Sequence, residues 1–142
     1  LKLYEVDGDG LEGRVVELLT ELGIADLSQC AMSTMSKGEA YKCTLAALVA
    51  VDPEFWILDE PFASGMDPTG LAALKNHAAE ASARGRTILY SAQIIEVAEG
   101  FADRVRILHH GAVHAHGTLA ELRERTGRPG SVLETLFAQL RE

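Results

Sequence analysis

The feature that most constrains this chain is the run Phe55-Trp56-Ile57-Leu58 and the two carboxylates that close it, Asp59 and Glu60. A short, continuously apolar run bounded by turn signals is the pattern of a strand buried on both faces of a parallel sheet. Pro61 to Pro68 reads as a loop, Thr69 to near Ala83 as a helix stopped by Arg84-Gly85-Arg86, and Thr87-Ile88-Leu89-Tyr90-Ser91 as the next strand. Strand, loop, helix, strand at this spacing predicts a βαβ unit with parallel strands and a right-handed crossover. Side chains at the carboxyl end of such a strand project into the crevice where α/β proteins bind ligands. One carboxylate there can hold Mg²⁺ through a water while its neighbour polarises an attacking water. An Asp-Glu pair that opens a solvated turn has the same sequence, so the pair alone leaves both readings open.

Upstream, Leu11 to Leu22 sets Val15, Leu18, Leu19 and Leu22 at helical spacing, and Gly23 is the stop. Asp26 to Thr34 is polar and turn-like. A second helix is expected from Ser36 to about Val51, ended by Asp52-Pro53. Its start, Met35-Ser36-Lys37-Gly38-Glu39, carries two compatible readings. First-turn amides and the helix dipole make an anion site, with Gly38 letting a phosphate approach the backbone. Ser36 and Glu39 also fit a capping box, S-x-x-E. Downstream, Ile94 to Phe101 reads as a helix, and Arg104–His109 with Ala112–His116 alternate around His110-Gly111 as a hairpin. Leu119–Arg125 and Val132–Leu140 are expected to be helices on either side of a linker, Thr126 to Gly130. Val132, Leu133, Leu136, Phe137 and Leu140 share one face of the last.

Bulk properties narrow the function classes. The 142 residues suit one compact domain or a large part of one, and 47% hydrophobic content supports a real core. A formal net charge of -8 argues against nucleic acid as a partner, because phosphate backbones are bound by Lys and Arg. The longest apolar stretch, Leu45 to Val51, is too short to cross a bilayer, so no direct membrane insertion is expected. Cys30 and Cys43 form no CxxC pair and read as buried, reduced thiols. His114 and His116 fall on one side of a strand near His109 and His110, where two imidazoles could share a zinc. With no clear further ligand, solvated edge-strand histidines are the expectation. Trp56 is expected in the core, and Lys42 as a charge on a helix surface.

Taken together these segments resemble the ABC ATPase family. Met35-Ser36-Lys37-Gly38-Glu39 is similar to its signature motif, usually LSGGQ, and Phe55 to Glu60 to its Walker B strand with the catalytic glutamate. Ala63-Ser64-Gly65-Met66-Asp67-Pro68 is similar to its D-loop, and Ile88-Leu89-Tyr90-Ser91-Ala92-Gln93 to the switch strand that normally ends in histidine. Each motif is weak alone; their order and spacing, with Pro61 after the glutamate, make the combination specific. The resemblance implies a P-loop NTPase-like α/β fold, incomplete here: a mainly parallel sheet flanked by helices, part of a helical subdomain and a late β-hairpin. It divides the chain into a helical subdomain with the signature helix (1–51), a Walker B, D-loop and switch-strand core (52–117) and C-terminal helices (118–142).

The same resemblance implies ATP and Mg²⁺ as cofactors. Asp59 would help hold the metal and Glu60 would be the general base. Ser36, Lys37, Gly38 and Glu39 would face the γ-phosphate of ATP on a second subunit, and Ser64 and Asp67 would communicate across that dimer. Gln93 would stand where the phosphate-contacting histidine stands. The implied partners are a second ATP-binding subunit and a membrane permease, with the protein cytoplasmic and peripheral at the inner face of the membrane. The ending Leu133-Glu134-Thr135-Leu136-Phe137 is similar to the tails of exporter-type subunits.

The departures from the family pattern carry their own expectations. No G-x-x-x-x-G-K-[ST] occurs and no Q-loop is visible, so the chain, which opens on Leu1, is expected to be the C-terminal portion of a longer subunit, inactive alone. Lys37 and Glu39 replace a glycine and a glutamine of the signature. Gln93 can donate a hydrogen bond but cannot carry a positive charge, which implies slow hydrolysis or the degenerate half of an asymmetric pair. A non-hydrolysing regulatory cassette, or a soluble ABC ATPase of DNA repair or translation, are the rival readings.

Overall fold

The computed structural model describes residues 10–127 and 130–140, which form two compact units divided between Ser91 and Ala92. The beginning of the first unit and part of the expected Thr126–Gly130 linker lie outside the described residues.

In the first unit, α1 (Leu11–Glu21) is followed by two single 3₁₀ turns, Ala25–Leu27 and Met32–Thr34, which occupy the stretch expected to be irregular. Helix α2 (Lys37–Val51) begins at Ser36 because the capping box forms. The Ser36 hydroxyl accepts from the Glu39 amide at 3.3 Å, and the Glu39 carboxylate accepts from the Ser36 amide at 2.8 Å. Asp52 ends the helix in the left-handed region, with φ of 47°.

Strand β1 (Phe55–Leu58) pairs in parallel with β2 (Thr87–Tyr90), in the register Phe55 with Thr87 and Ile57 with Leu89, and α3 (Pro68–Ala83) connects them. The strand–helix–strand expectation therefore holds. Asp52 pins the entry of both strands: its carboxylate accepts from Arg84 at 3.1 Å and from Arg86 at 3.1 Å, tying the residues before β1 to those before β2. Beyond the strands the ladder continues, with the Thr87 amide donating to Glu54 and the Ser91 amide to Leu58.

One expectation fails here. Trp56 is fully buried, but Phe55, Ile57 and Leu89 on the opposite face are 66%, 78% and 61% exposed. Among the described residues only one side of this sheet is covered, so β1 is not buried on both faces. Leu22, Leu45, Leu74 and Trp56 are among the fully buried side chains that fill the covered side. The Trp56 indole N–H is buried there without a hydrogen-bond partner among the described residues.

The second unit holds α4 (Ile95–Phe101), the antiparallel pair β3 (Arg104–His109) and β4 (Ala112–Thr118), α5 (Leu119–Thr126) and α6 (Val132–Gln139). His110 and Gly111 turn the hairpin with φ of 46° and 77°, both left-handed as such a two-residue turn requires. Ile107, Ala115, Leu122, Val132 and Leu133 form its core, with Leu136, Phe137 and Leu140 packed against it. The Glu99 carboxylate accepts from Ser131 at 2.9 Å and from the Leu133 amide at 2.7 Å, fastening α6 to α4.

Candidate functional site

The site is built in the first unit from the carboxyl ends of β1 and β2. Continuing their register one step sets Asp59 opposite Ser91. The Ser91 hydroxyl uses both capacities there, donating to Asp59 Oδ1 at 2.8 Å and accepting from the Glu60 amide at 2.8 Å. Asp59 is thereby held at the open end of the sheet with its other oxygen outside that bond. Glu60 adopts φ of 45°, a conformation costing a non-glycine residue roughly 1–2 kcal/mol, and Pro61 follows at once. The strain turns the chain abruptly after the strand, so that two consecutive carboxylates part from a common backbone point.

The helix α2 approaches this end. Burial first, and then the negative charge of Asp59, push the pKa of its Tyr41 phenol up. At the helix start, Ser36 and Glu39 are occupied with each other, and the Ser36 hydrogen bonds hold the Glu39 carboxyl below its ordinary range. The amides of Lys37 and Gly38 remain outside that exchange. Gly38 makes a close approach, but in this chain it is to protein: an added Cβ would lie within 3.0 Å of the Gly65 carbonyl carbon. A side chain there would push the helix start off the loop Ala63–Pro68.

Within that loop, Ser64 is buried and its hydroxyl faces the Met66 amide at 3.4 Å, so it braces the turn from beneath. Asp67 caps α3, accepting from the Gly70 amide at 2.8 Å, and its other oxygen accepts from Lys42 Nζ at 2.8 Å. Those two bonds, the lysine's first, hold the Asp67 carboxyl below its ordinary range. Lys42 is only 6% exposed. It is not the helix-surface charge that its sequence position suggests, because its stem runs inward over the first turn of α3. Gln93 belongs to the second unit, at an exposed bend ahead of α4.

Motif reading names Ser91 only within the switch-strand segment and Lys42 only as a helix-surface charge, and gives neither a part in the site. Ser91 was legible in principle, since parallel pairing of β1 and β2 puts it beside Asp59. Lys42 had no such signal, because its burial depends on how α2 lies against α3.

Other expectations change as well. Cys30 is exposed and Cys43 only partly buried, with Cys43 Sγ 3.6 Å from Met35 Sδ. The turns around Cys30 offer no layer to bury it. His110, His114 and His116 are exposed, as expected of edge-strand histidines, and the His110 and His114 rings lie 4.0 and 5.6 Å from that of His109. Desolvation first, then its two neighbours, lowers the His109 pKa. No group of three or more His, Cys, Asp or Glu among the described residues is arranged to hold a metal ion.

The donors at the sheet end fit one metal class. A lone aspartate with a hydroxyl beside it, both hard oxygens at an exposed strand end, suits Mg²⁺, which keeps several waters and takes one or two carboxylates plus phosphate oxygens. They do not make a cage for a fully protein-ligated ion.

Known proteins resemble this chain in sequence and fold. The family profile described as "ABC transporter" matches residues 4–63. The ABC-type transporter ATP-binding protein EcsA of Bacillus subtilis (strain 168) is 34% identical over 96% of this chain and 55% of its own length. The daunorubicin resistance ATP-binding protein DrrA3 of Streptomyces coeruleorubidus is 32% identical over 89% of this chain and 40% of its own length. A solved structure of the ATP-binding subunit of an ABC transporter superposes with a TM-score of 0.91 at 32% identity, covering 99% of this chain and 58% of that one. The chain thus spans about half the length of these proteins, at 55%, 40% and 58%. With a relative 34% identical over 96% of the chain and a fold that matches over nearly its whole length, the chain belongs to the ABC transporter ATP-binding family.

Proposed function

We propose that these residues serve as the signature, Walker B, D-loop and switch portion of an ATP-hydrolysing subunit that drives a membrane transporter. The observation that carries the reading is the Ser91 bridge, which fixes an aspartate and a glutamate side by side at the carboxyl end of a parallel strand. In this reading Asp59 is the Mg²⁺-side carboxylate, and the ion when bound neutralises phosphate charge. Glu60 accepts the proton of the attacking water. The start of α2, with Ser36, Lys37, Gly38 and Glu39, presents its first-turn amides to the γ-phosphate of ATP held by a second subunit. Ser64 and Asp67 keep the D-loop in shape for the same contact, and Gln93 supplies a neutral hydrogen bond where a histidine would add charge.

The phosphate-binding loop comes from residues outside this sequence, which contains no G-x-x-x-x-G-K-[ST]. The open apolar face of β1 and β2 supports that division, since parallel strands are stable when both faces are covered. The partners are therefore a second ATP-binding subunit and a separate permease, with this subunit cytoplasmic and peripheral at the inner face of the membrane. No helix among the described residues is long and apolar enough to cross a membrane. An exporter-type role is favoured by the exporter-like tail and by the resistance function in the name of DrrA3.

Phosphate release tests the reading. The complete subunit should hydrolyse ATP, Glu60→Gln should abolish turnover while ATP binding persists, and these residues alone should release no phosphate. No phosphate release by the complete subunit would end the proposal and favour a non-hydrolysing regulatory cassette, and turnover by Glu60→Gln at the unaltered rate would remove Glu60 as the base.

A further inference from the structure

Among the described residues of the first unit, Lys42 is a buried cation, 6% exposed. Its ammonium donates to the Leu22 carbonyl, at the end of α1, and to Asp67 Oδ2, at the start of α3, each at 2.8 Å. Its stem lies on α3 so closely that a Cβ at Gly70 would come within 2.9 Å of Lys42 Cε. Gly38 and Lys42 stand one helical turn apart on the same face of α2. Gly38 sits on the Gly65 carbonyl and Lys42 holds Asp67. The start of α2 is therefore attached to the loop Ala63–Pro68 at two points, one steric and one ionic.

From this geometry we infer that Lys42 is a positioning residue, which locks the signature turn and the D-loop into one block braced on α1. A displacement of the D-loop is then carried to the amides of Lys37 and Gly38. The inference rests on the ATP-hydrolysing role proposed above, and it assigns Asp67 a duty within its own chain. Both Asp67 oxygens are engaged there, one by the α3 cap and one by Lys42.

A brace that serves folding alone makes a different forecast. Removing Lys42 alone leaves Asp67 unpaired and takes a donor from the Leu22 carbonyl, a loss that falls on stability when the brace serves folding only. A folded Lys42→Met subunit would then hydrolyse ATP normally. On the positioning reading it loads nucleotide normally but holds the signature amides off register. Its kcat should fall roughly tenfold or more, with KM for ATP within about twofold, as expected for a lost charge-assisted hydrogen bond felt in the transition state. Lys42→Arg should recover most of the turnover, since it restores a cation to Asp67. Asp67→Asn, which keeps the α3 cap through its amide oxygen, should show the same fall. The double variant Lys42→Met/Asp67→Asn should be no slower than either single one, because both remove one contact.

The assays are run on the complete subunit, with folded fraction checked by circular dichroism. Turnover of folded Lys42→Met or of Asp67→Asn within about twofold of the unaltered protein overturns the inference, as does an additive loss in the double variant. Should Lys42→Met fail to fold, Asp67→Asn and Lys42→Arg decide the matter. The unaltered subunit separates the two levels: its turnover beside a fully active Lys42→Met removes this inference alone, while no turnover by the unaltered subunit removes the ATPase reading beneath it.

Discussion

Ser91 shows how much of the site rests on one small hydroxyl. It joins Asp59 to the Glu60 amide across two strands. Both bonds are solvent-exposed, so their net worth to folding is small, below about 1 kcal/mol together. Their value is geometric. Without the hydroxyl Asp59 regains its rotamers, and the backbone at Glu60 loses a partner that helps maintain a left-handed conformation. Ser91→Ala in the complete subunit should therefore lower single-turnover hydrolysis roughly tenfold with little change in thermal unfolding. Ser91→Thr, which keeps the hydroxyl and suits a strand, should restore the rate. An unaltered rate in Ser91→Ala, measured at saturating ATP and Mg²⁺, would show that Asp59 needs no such tether.

At the scale of elements, Asp52 does for the strand entries what Ser91 does for their exits. Burial alone would raise its pKa, but hydrogen bonds and charge from Arg84 and Arg86 outweigh it and hold the carboxyl below its ordinary 3.8. A carboxyl depressed in the folded state contributes stability that is full above the unfolded value and is lost as pH falls through the folded value. The ion pair should therefore count at neutral pH and vanish in acid. Asp52→Asn isolates the charge, because asparagine tolerates the left-handed conformation that residue 52 adopts. Denaturant unfolding should find this variant less stable at pH 7, by about 1 kcal/mol, with the difference closing as pH falls through the lowered pKa of the folded state. A gap that persists unchanged into acid would mean that the arginines do not stabilise the ionised form. The sequence made the elements themselves readable: Ser36 and Glu39 announce α2, Asp67-Pro68 announces α3, and the apolar runs announce β1 and β2. It could not reveal which faces find partners. Periodicity has no term for a missing layer, so Phe55 and Ile57 read as interior and stand exposed. Lys42 reads as exterior and is interior, for the same reason in reverse.

For the whole molecule, the open face of the sheet is the dominant unsolved contact. Phe55, Ile57 and Leu89 present neighbouring apolar side chains to water. Covering each would contribute about 1.5–3 kcal/mol, comparable in sum to the entire stability of a small domain. A contiguous patch of this kind marks a contact surface. On the proposed division of labour it is covered by the same polypeptide portion that brings the phosphate loop. The 142 residues studied alone should then bind an apolar fluorescent dye strongly. Ile57→Ser with Leu89→Ser should reduce that binding while leaving thermal unfolding nearly unchanged, since neither side chain packs against the covered core. Supplying the phosphate-loop portion in trans should quench the dye signal of the unaltered chain and restore ATP binding, but do neither for the doubly substituted one. Dye binding that ignores both substitutions, or ATP binding restored equally to both chains, would show that the missing portion docks elsewhere.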